Sequence, residues 1–241
     1  MKILIVCDVK GWAIDKLATA KVKYNPHHIF KVEYVHPKDV TQEVADRFLE
    51  TVKEFNPDII HYEYYRTGGQ LIQFRPELRA YKSIVTHHNQ RDKALYAFDW
   101  NELGIDMLVT HTQKAKKLLQ DRGFKKVSVI QHGIDLDYFT YSDEEPKDNI
   151  IGYVGRVVAW KGLKEISEVA AELGYTVMAM GKIDDPAYYE TCNKDVVQFG
   201  FFNVPDEERI NAYRSMKIFV CNSKDGYEEG TLPLLEAMAS G

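Results

Sequence analysis

The chain has 241 residues, 45% hydrophobic and 28% charged, a balance that allows a sizeable core and excludes global disorder. Thirty-one basic residues against 36 acidic ones leave a net charge of −5, which argues against nucleic acid as the main ligand. No apolar stretch approaches the length of a membrane span, and Cys7, Cys192 and Cys221 are too scattered for a CxxC pair or an even disulfide framework, so a cytoplasmic setting is expected. At roughly 150 residues per domain the length corresponds to about 1.6 domains.

Strand-like apolar runs alternate with helix-period segments. Met1 to Val9 reads as a strand; its unbroken Ile-Leu-Ile-Val implies burial on both faces, as in a parallel sheet, and the run is too short for a secretion signal. Further strands are expected at Ile29 to Val35, Asp58 to Glu63, Ser83 to His88, Met107 to His111 and Val127 to Gln131. Thr41 caps an expected helix in which Val44, Phe48, Val52 and Phe55 recur at helical spacing, and Asn56-Pro57 ends it. Another helix runs from Gln113 to Asp121 and stops at Gly123. Strands and helices at this pitch imply right-handed βαβ units and a doubly wound sheet.

Asp137 to Asn149 is polar and acidic, contains Pro146, and reads as a linker. The alternation then restarts with strands at Ile150 to Val154, Tyr175 to Met180, Val196 to Phe199 and Ile218 to Cys221, and helices at Leu163 to Leu173 and Glu207 to Met216. The first of these helices places Leu163, Ile166, Val169, Ala170 and Leu173 on one face. The expected fold is α/β, with two Rossmann-like lobes over residues 1–140 and 145–241. Ligands of such sheets bind beyond the carboxyl ends of the strands, which directs attention to the loops after Val154 and Cys221.

The first loop carries Gly155, Arg156, Lys161 and Gly162. Glycines let backbone approach a ligand, and the two cations can converge on one diphosphate, Arg156 as a planar fork and Lys161 as a point charge. Two solvated surface cations are the simpler reading of the same pair. In the second loop Thr231 can cap a helix whose first turn accepts Pro233, and with Gly230 before it that helix start can receive a phosphate. Glu228 and Glu236 could hold two hydroxyl-rich parts of one ligand, or be an exposed turn and a surface helix position.

Gly155-Arg156, Lys161-Gly162 and the Glu228-to-Glu236 segment running into Leu-Leu-Glu-Ala-Met-Ala-Ser-Gly resemble the retaining glycosyltransferases of family 4, which have the GT-B fold. Gln131-His132-Gly133-Ile134-Asp135, followed by Phe139, is similar to a segment ending that family's first lobe, with His132 replacing the commoner Asn. Asp58 to His61 and Val85 to His88 are similar to its first-lobe strands near the acceptor cleft. The resemblance spans residues 1 to 241. It implies that Arg156 and Lys161 bind the donor diphosphate and stabilise its growing charge, helped by the helix start at Gly230, Thr231 and Leu232. It further implies that Glu228 lies beside the donor sugar, that Glu236 accepts from ribose hydroxyls, and that His88 contacts the donor sugar. Gly11 would lie near the diphosphate, although Val9-Lys10-Gly11-Trp12 lacks the double glycine common there.

The implied reaction moves a sugar from a nucleotide-sugar donor, with retention, to a glycan, lipid-linked or small-molecule acceptor, without a cofactor or an essential metal. No HExxH motif or cysteine cluster is present, and Asp184-Asp185 lacks an Asp-x-Asp spacing; the adjacent pairs His27-His28 and His87-His88 could bind metal, but adjacent ligands on a strand diverge. The tyrosines of His61-Tyr62-Glu63-Tyr64-Tyr65 could line a sugar site, but strand burial explains them more simply. Lys10, Lys16, Lys21 and Lys23 allow peripheral contact with anionic lipid, with a solvated face the simpler reading. A nucleotide-sugar-binding module without turnover is the alternative. A dehydrogenase is disfavoured, since no G-x-G-x-x-G follows the first strand. In a GT-B second lobe further strands follow the last helix read here, so the sequence is expected to be a fragment or shortened form with an open sheet edge.

Overall fold

The β-branched run after Met1 forms β1 (Lys2–Cys7), whose Leu4 to Cys7 side chains are all buried, as a strand covered on both faces requires. The computed structural model describes residues 1–88, 98–146, 148–200, 206–224 and 231–241. They divide into two units, Met1–Gly133 and Ile134–Gly241.

In the first unit β1 lies between β2 (Ile29–Tyr34) and β3 (Ile59–Tyr62), and the sheet continues through β4 (Ser83–Thr86) and β5 (Met107–Thr110) to β6 (Val127–Val129). Every described pairing is parallel. Helices α1 (Ala13–Tyr24), α2 (Gln42–Phe55), α3 (Tyr65–Phe74) and α4 (Gln113–Asp121) join the strands. The α2 start is as its sequence predicts: the Thr41 hydroxyl accepts from the Val44 N–H, and Asn56 leaves the helix in the left-handed region at φ 49°. Its inner face is Ala45, Phe48, Leu49 and Val52, one position round from the expected stripe.

Helix α3 begins inside the tyrosine-rich stretch and was not expected. Its Gly68 and Gly69 let it press on the sheet: a Cβ on Gly68 would stand 2.8 Å from the Tyr62 ring, and one on Gly69 2.7 Å from Phe98. Tyr62 is buried on β3, as the simpler sequence reading has it, whereas Tyr65 is buried from the helix.

The second unit has a parallel sheet in the order β10 (Ile218–Phe219), β7 (Ile150–Val154), β8 (Thr176–Met180), β9 (Val197–Gly200). Around it lie α5 (Leu163–Leu173), the short α6 (Pro186–Tyr189), α7 (Asp206–Ser215) and α8 (Leu232–Ser240). Helix α5 has the expected bounds but a different face. Leu163, Ile166, Ser167 and Ala170 are buried, while Val169 and Leu173 are 51% and 62% exposed. Ser167 can take an inward place because its hydroxyl donates to the Lys164 carbonyl and accepts from the Asn193 N–H. The segment read as a linker also differs. Phe139 is buried with Val154, Met180, Tyr213 and Met216, and meets Tyr213 edge-on at 6.1 Å, so the start of that stretch belongs to the second unit's core.

Candidate active site

At the carboxyl end of β7 the chain turns through Gly155, at φ 151°, and Gly162, at φ 71°. Both positions are tight. A Cβ on Gly155 would lie 3.3 Å from Lys161 Nζ, and one on Gly162 would lie 2.9 Å from the Asn222 carbonyl oxygen. Only glycine therefore lets the loop after β7 seat against the loop after β10. The Lys224 N–H donates to the Trp160 carbonyl at 2.9 Å and ties the same two loops.

This seating gathers the cations. The Arg156 guanidinium and Lys161 Nζ lie 5.7 and 5.1 Å from the Trp160 ring centroid, so one indole carries both. Arg156 Nη1 is 3.5 Å from Asp184 Oδ2, with the arginine side chain 56% exposed, so the pair is weak and a stronger anion can displace it. A small cleft at the ends of β7 and β10 is lined by Lys161, Asn222, Ser223, Thr231 and Pro233. Thr231 stands at the N-cap position of α8, but its hydroxyl does not cap the helix and lies 3.7 Å from Cys221 Sγ. Pro233 has no N–H, and the Leu234 and Leu235 N–H groups donate to the Thr231 carbonyl oxygen, so the Leu232 N–H is the donor at the start of α8 that can meet an anion. Glu228 and Gly230 lie outside the described residues.

Glu236 is about one turn into α8 and does not occupy the surface helix position that was the alternative reading of it. It is 9% exposed and accepts a 2.6 Å hydrogen bond from the Tyr213 hydroxyl. Burial, then the Glu236 carboxylate, push the Tyr213 hydroxyl far above its ordinary range, so it remains a donor.

The carboxyl edge of the first unit has another character. Gly11, at φ 82°, follows β1; its N–H donates to Asp15 Oδ2 at 2.7 Å, and a Cβ there would meet nothing within 4 Å. The other Asp15 oxygen accepts from the Tyr34 hydroxyl, a bond that raises the tyrosine to about 12. Glu63, just past β3, is fully buried and forms an ion pair with Lys21 of α1, so Lys21 is not a lipid-facing cation. His88, past β4, has Nε2 2.9 Å from the Glu63 carbonyl oxygen and Nδ1 3.1 Å from His111 Nε2. His87 points elsewhere, buried against Tyr65, as alternation on a strand requires. His132 completes the group, its ring centroid 3.6 Å from that of His111. Burial, reinforced by the neighbouring imidazoles, holds His88 well below its ordinary range and His132 down to about 3; burial also lowers His111. The edge therefore presents neutral imidazoles beside a buried carboxylate.

Sequence reasoning brought out His88 but missed His111, His132 and Glu63 as one constellation. The available signal was that Glu63, His88 and His111 each end an expected strand and His132 directly follows one. The larger cavity, of about 250 Å³, is lined by Trp100, Asp106, Phe124 and Lys126 at the amino ends of β5 and β6, opposite these groups, and holds none of them. Among the described residues no helix is long and apolar enough to cross a membrane.

Comparison with known proteins accords with this arrangement. The profile described as Glycosyltransferase Family 4 matches residues 15–138, and that described as Glycosyl transferases group 1 matches residues 138–241. No curated protein sequence gives a match. Among solved structures, AviGT4, a glycosyltransferase involved in avilamycin A biosynthesis, is 16% identical with a TM-score of 0.67, covering 100% of this chain and 77% of its own. A UDP-forming α,α-trehalose-phosphate synthase from Burkholderia xenovorans in complex with glucose-6-phosphate is 11% identical with a TM-score of 0.70, covering 100% and 83%. A UDP-GlcNAc 2-epimerase from Neisseria meningitidis bound to UDP-GlcNAc is 12% identical with a TM-score of 0.55, covering 89% and 76%. At such identities the likeness is one of fold, and with two profiles that together run from residue 15 to residue 241 the chain belongs to the group 1 and family 4 glycosyltransferases of GT-B fold.

Proposed function

We propose that this glycosyltransferase moves a sugar from a nucleotide-sugar donor to an acceptor with retention at the anomeric carbon, and that its own cations rather than a metal carry the donor's diphosphate. The observation that carries the reading is one cleft at the carboxyl ends of β7 and β10 lined by Lys161 and the start of α8, with Arg156 on the same loop and against the same Trp160 ring as Lys161. As the bond from the anomeric carbon to the phosphate oxygen breaks, negative charge grows on the diphosphate. Arg156 and Lys161 stabilise that charge more than they stabilise the intact donor, so their effect falls on turnover. Glu236, oriented by Tyr213, accepts from ribose hydroxyls, and Glu228 lies beside the sugar. Gly11 and His88 of the first unit take the roles the family resemblance gives them. The acceptor is a glycan, a lipid-linked sugar or a small molecule, and the setting is cytoplasmic.

The test begins with thermal shift against UDP-, GDP- and ADP-sugars, because stabilisation grows with the ratio of ligand to Kd. The names of the solved structures above make UDP-sugars the first to try. With the donor found, Arg156→Ala and Lys161→Ala each lower kcat by about 10²- to 10³-fold, the usual loss when one charge-stabilising donor is removed. Undiminished donor hydrolysis and transfer in both variants refutes the mechanism.

A further inference from the structure

We propose that His88, His111 and His132 form a binding site for one divalent transition-metal ion of the zinc class within the first unit. The inference goes beyond sugar transfer and does not depend on it; it gives His88 a metal in place of the donor-sugar contact, since both of its ring nitrogens are then engaged. Thr86 pairs with Val109 in the sheet, so His88 and His111, each two positions further on, are level on neighbouring chains. His88 Nε2 lies 2.9 Å from the Glu63 carbonyl oxygen, and His111 Nδ1 lies 2.8 Å from the Ile130 carbonyl oxygen. A carbonyl oxygen only accepts, so each of these ring nitrogens carries the hydrogen. In neutral imidazoles the opposite nitrogens, His88 Nδ1 and His111 Nε2, are then both lone pairs.

Those two lone pairs face each other at 3.1 Å. Two acceptors cannot satisfy one another, and a shared cation resolves the conflict. Zinc–nitrogen bonds of about 2.0–2.1 Å at a tetrahedral angle place two ligand nitrogens roughly 3.3 Å apart, close to what is observed. Anchoring the far ring N–H on a backbone carbonyl is also the arrangement that orients metal-bound histidines. His132 supplies the third nitrogen: one ligand atom from each of the three residues lies within 4.8 Å of the others. Its ring centroid lies 3.6 Å from that of His111 at a 32° tilt, so binding turns His132 off that face, a movement its half-buried place in the loop after β6 allows. Glu63, fully buried beside the cluster, pairs with Lys21 through Oε1, and its other oxygen, Oε2, lies 4.0 Å from His88 Nε2 and has no hydrogen-bond partner among the described residues. Three imidazoles without thiolate suit zinc, cobalt or nickel and leave a fourth position for water.

The experiment strips the full chain with a chelator and titrates it with Co²⁺ and Zn²⁺. One ion per chain is expected, with the visible absorption of four-coordinate cobalt and its displacement by zinc. His111→Gln weakens binding by at least 100-fold and His132→Asn by at least tenfold, while the exposed His27→Asn leaves it unchanged. Circular dichroism checks folding; if His111→Gln does not fold, His132→Asn carries the comparison. Wild type that takes up no stoichiometric metal, with imidazole nitrogen shifts showing a proton shared between His88 and His111, overturns the proposal. So does a folded His132→Asn that binds as wild type does.

Discussion

His61 gives the sharpest test of how the first unit treats charge. It lies on β3 with Nε2 2.8 Å from Thr86 Oγ1 and Nδ1 3.5 Å from Glu63 Oε1, and its side chain is 15% exposed. Burial lowers its pKa to about 4, outweighing the upward pull of Glu63. In the unfolded chain the same imidazole titrates near 6.5. Between these values the unfolded chain takes up a proton that the folded chain refuses, so the contribution is complete above the unfolded pKa and is lost as pH falls towards the folded one. Integrated from pH 7.5 to pH 5, His61 alone removes about 2 kcal/mol.

The perturbation is His61→Gln, which keeps a polar partner for Thr86 and abolishes the titration. Urea unfolding in the presence of EDTA is followed at both pH values in a Trp160→Phe background, where Trp12 and Trp100 report on the first unit. With a urea dependence of about 2 kcal/mol per molar, wild type loses roughly 1 M more in midpoint on acidification than the variant does. Equal losses in the two proteins would refute the reasoning, because His61 would then be no more protonated in the unfolded chain than in the folded one.

Phe139→Ala should cost the second unit about 3–5 kcal/mol, read from Trp160 fluorescence with Trp12 and Trp100 replaced; a cost below about 1 kcal/mol would mean that the segment is linker after all. Gly162→Ala forces an unfavourable φ and pushes a methyl into Asn222, and it should weaken nucleotide-sugar binding by about tenfold in calorimetry. Wild-type affinity there would show that the two loops need not touch. Tyr213→Phe leaves a buried Glu236 oxygen without its donor and should cost about 1–3 kcal/mol in thermal unfolding, with KM for the donor rising more than kcat falls. A kcat effect alone would remove Glu236 from ribose binding.

The sheets were legible because parallel strands buried on both faces are written as unbroken β-branched runs, and α2 because its cap and period agree. Helix α3 was not, since a tyrosine run favours strand and Gly68-Gly69 lowers helix propensity. That glycine pair answers to Tyr62 and Phe98, neighbours that only the tertiary structure supplies. Helix α5 was found but turned, because Ser167 outranks Val169 at the interface by satisfying its hydroxyl locally. In the site, Arg156 and Lys161 were legible because they share one loop. The burial of Glu236 was not legible because its partner Tyr213 is 23 residues away on another helix. The histidine cluster was invisible for the same kind of reason: its members meet through strand register, which the residues name only once the pairing is known.

The two carboxyl edges also differ enough to say which can take a diphosphate. The first unit's edge has imidazoles that burial keeps neutral, and its carboxylate, Glu63, is fully desolvated. Lys21, which reaches that edge from α1, is already paired with Glu63, so an incoming anion would have to strip the pair and leave a buried charge uncompensated, a cost of about 3–5 kcal/mol. The second unit asks no such exchange. Arg156 gives up only a solvent-screened contact with Asp184, which Lys182 also holds at 3.1 Å, so Asp184 is not abandoned when the arginine turns to a phosphate. A cation held by a solvent-screened contact, as Arg156 is, binds an anion at low cost, whereas one locked to a buried carboxylate does not. This difference supports the proposed placing of the donor's charged group on the loops after β7 and β10, and it leaves the first unit's edge for groups that neutral nitrogens recognise.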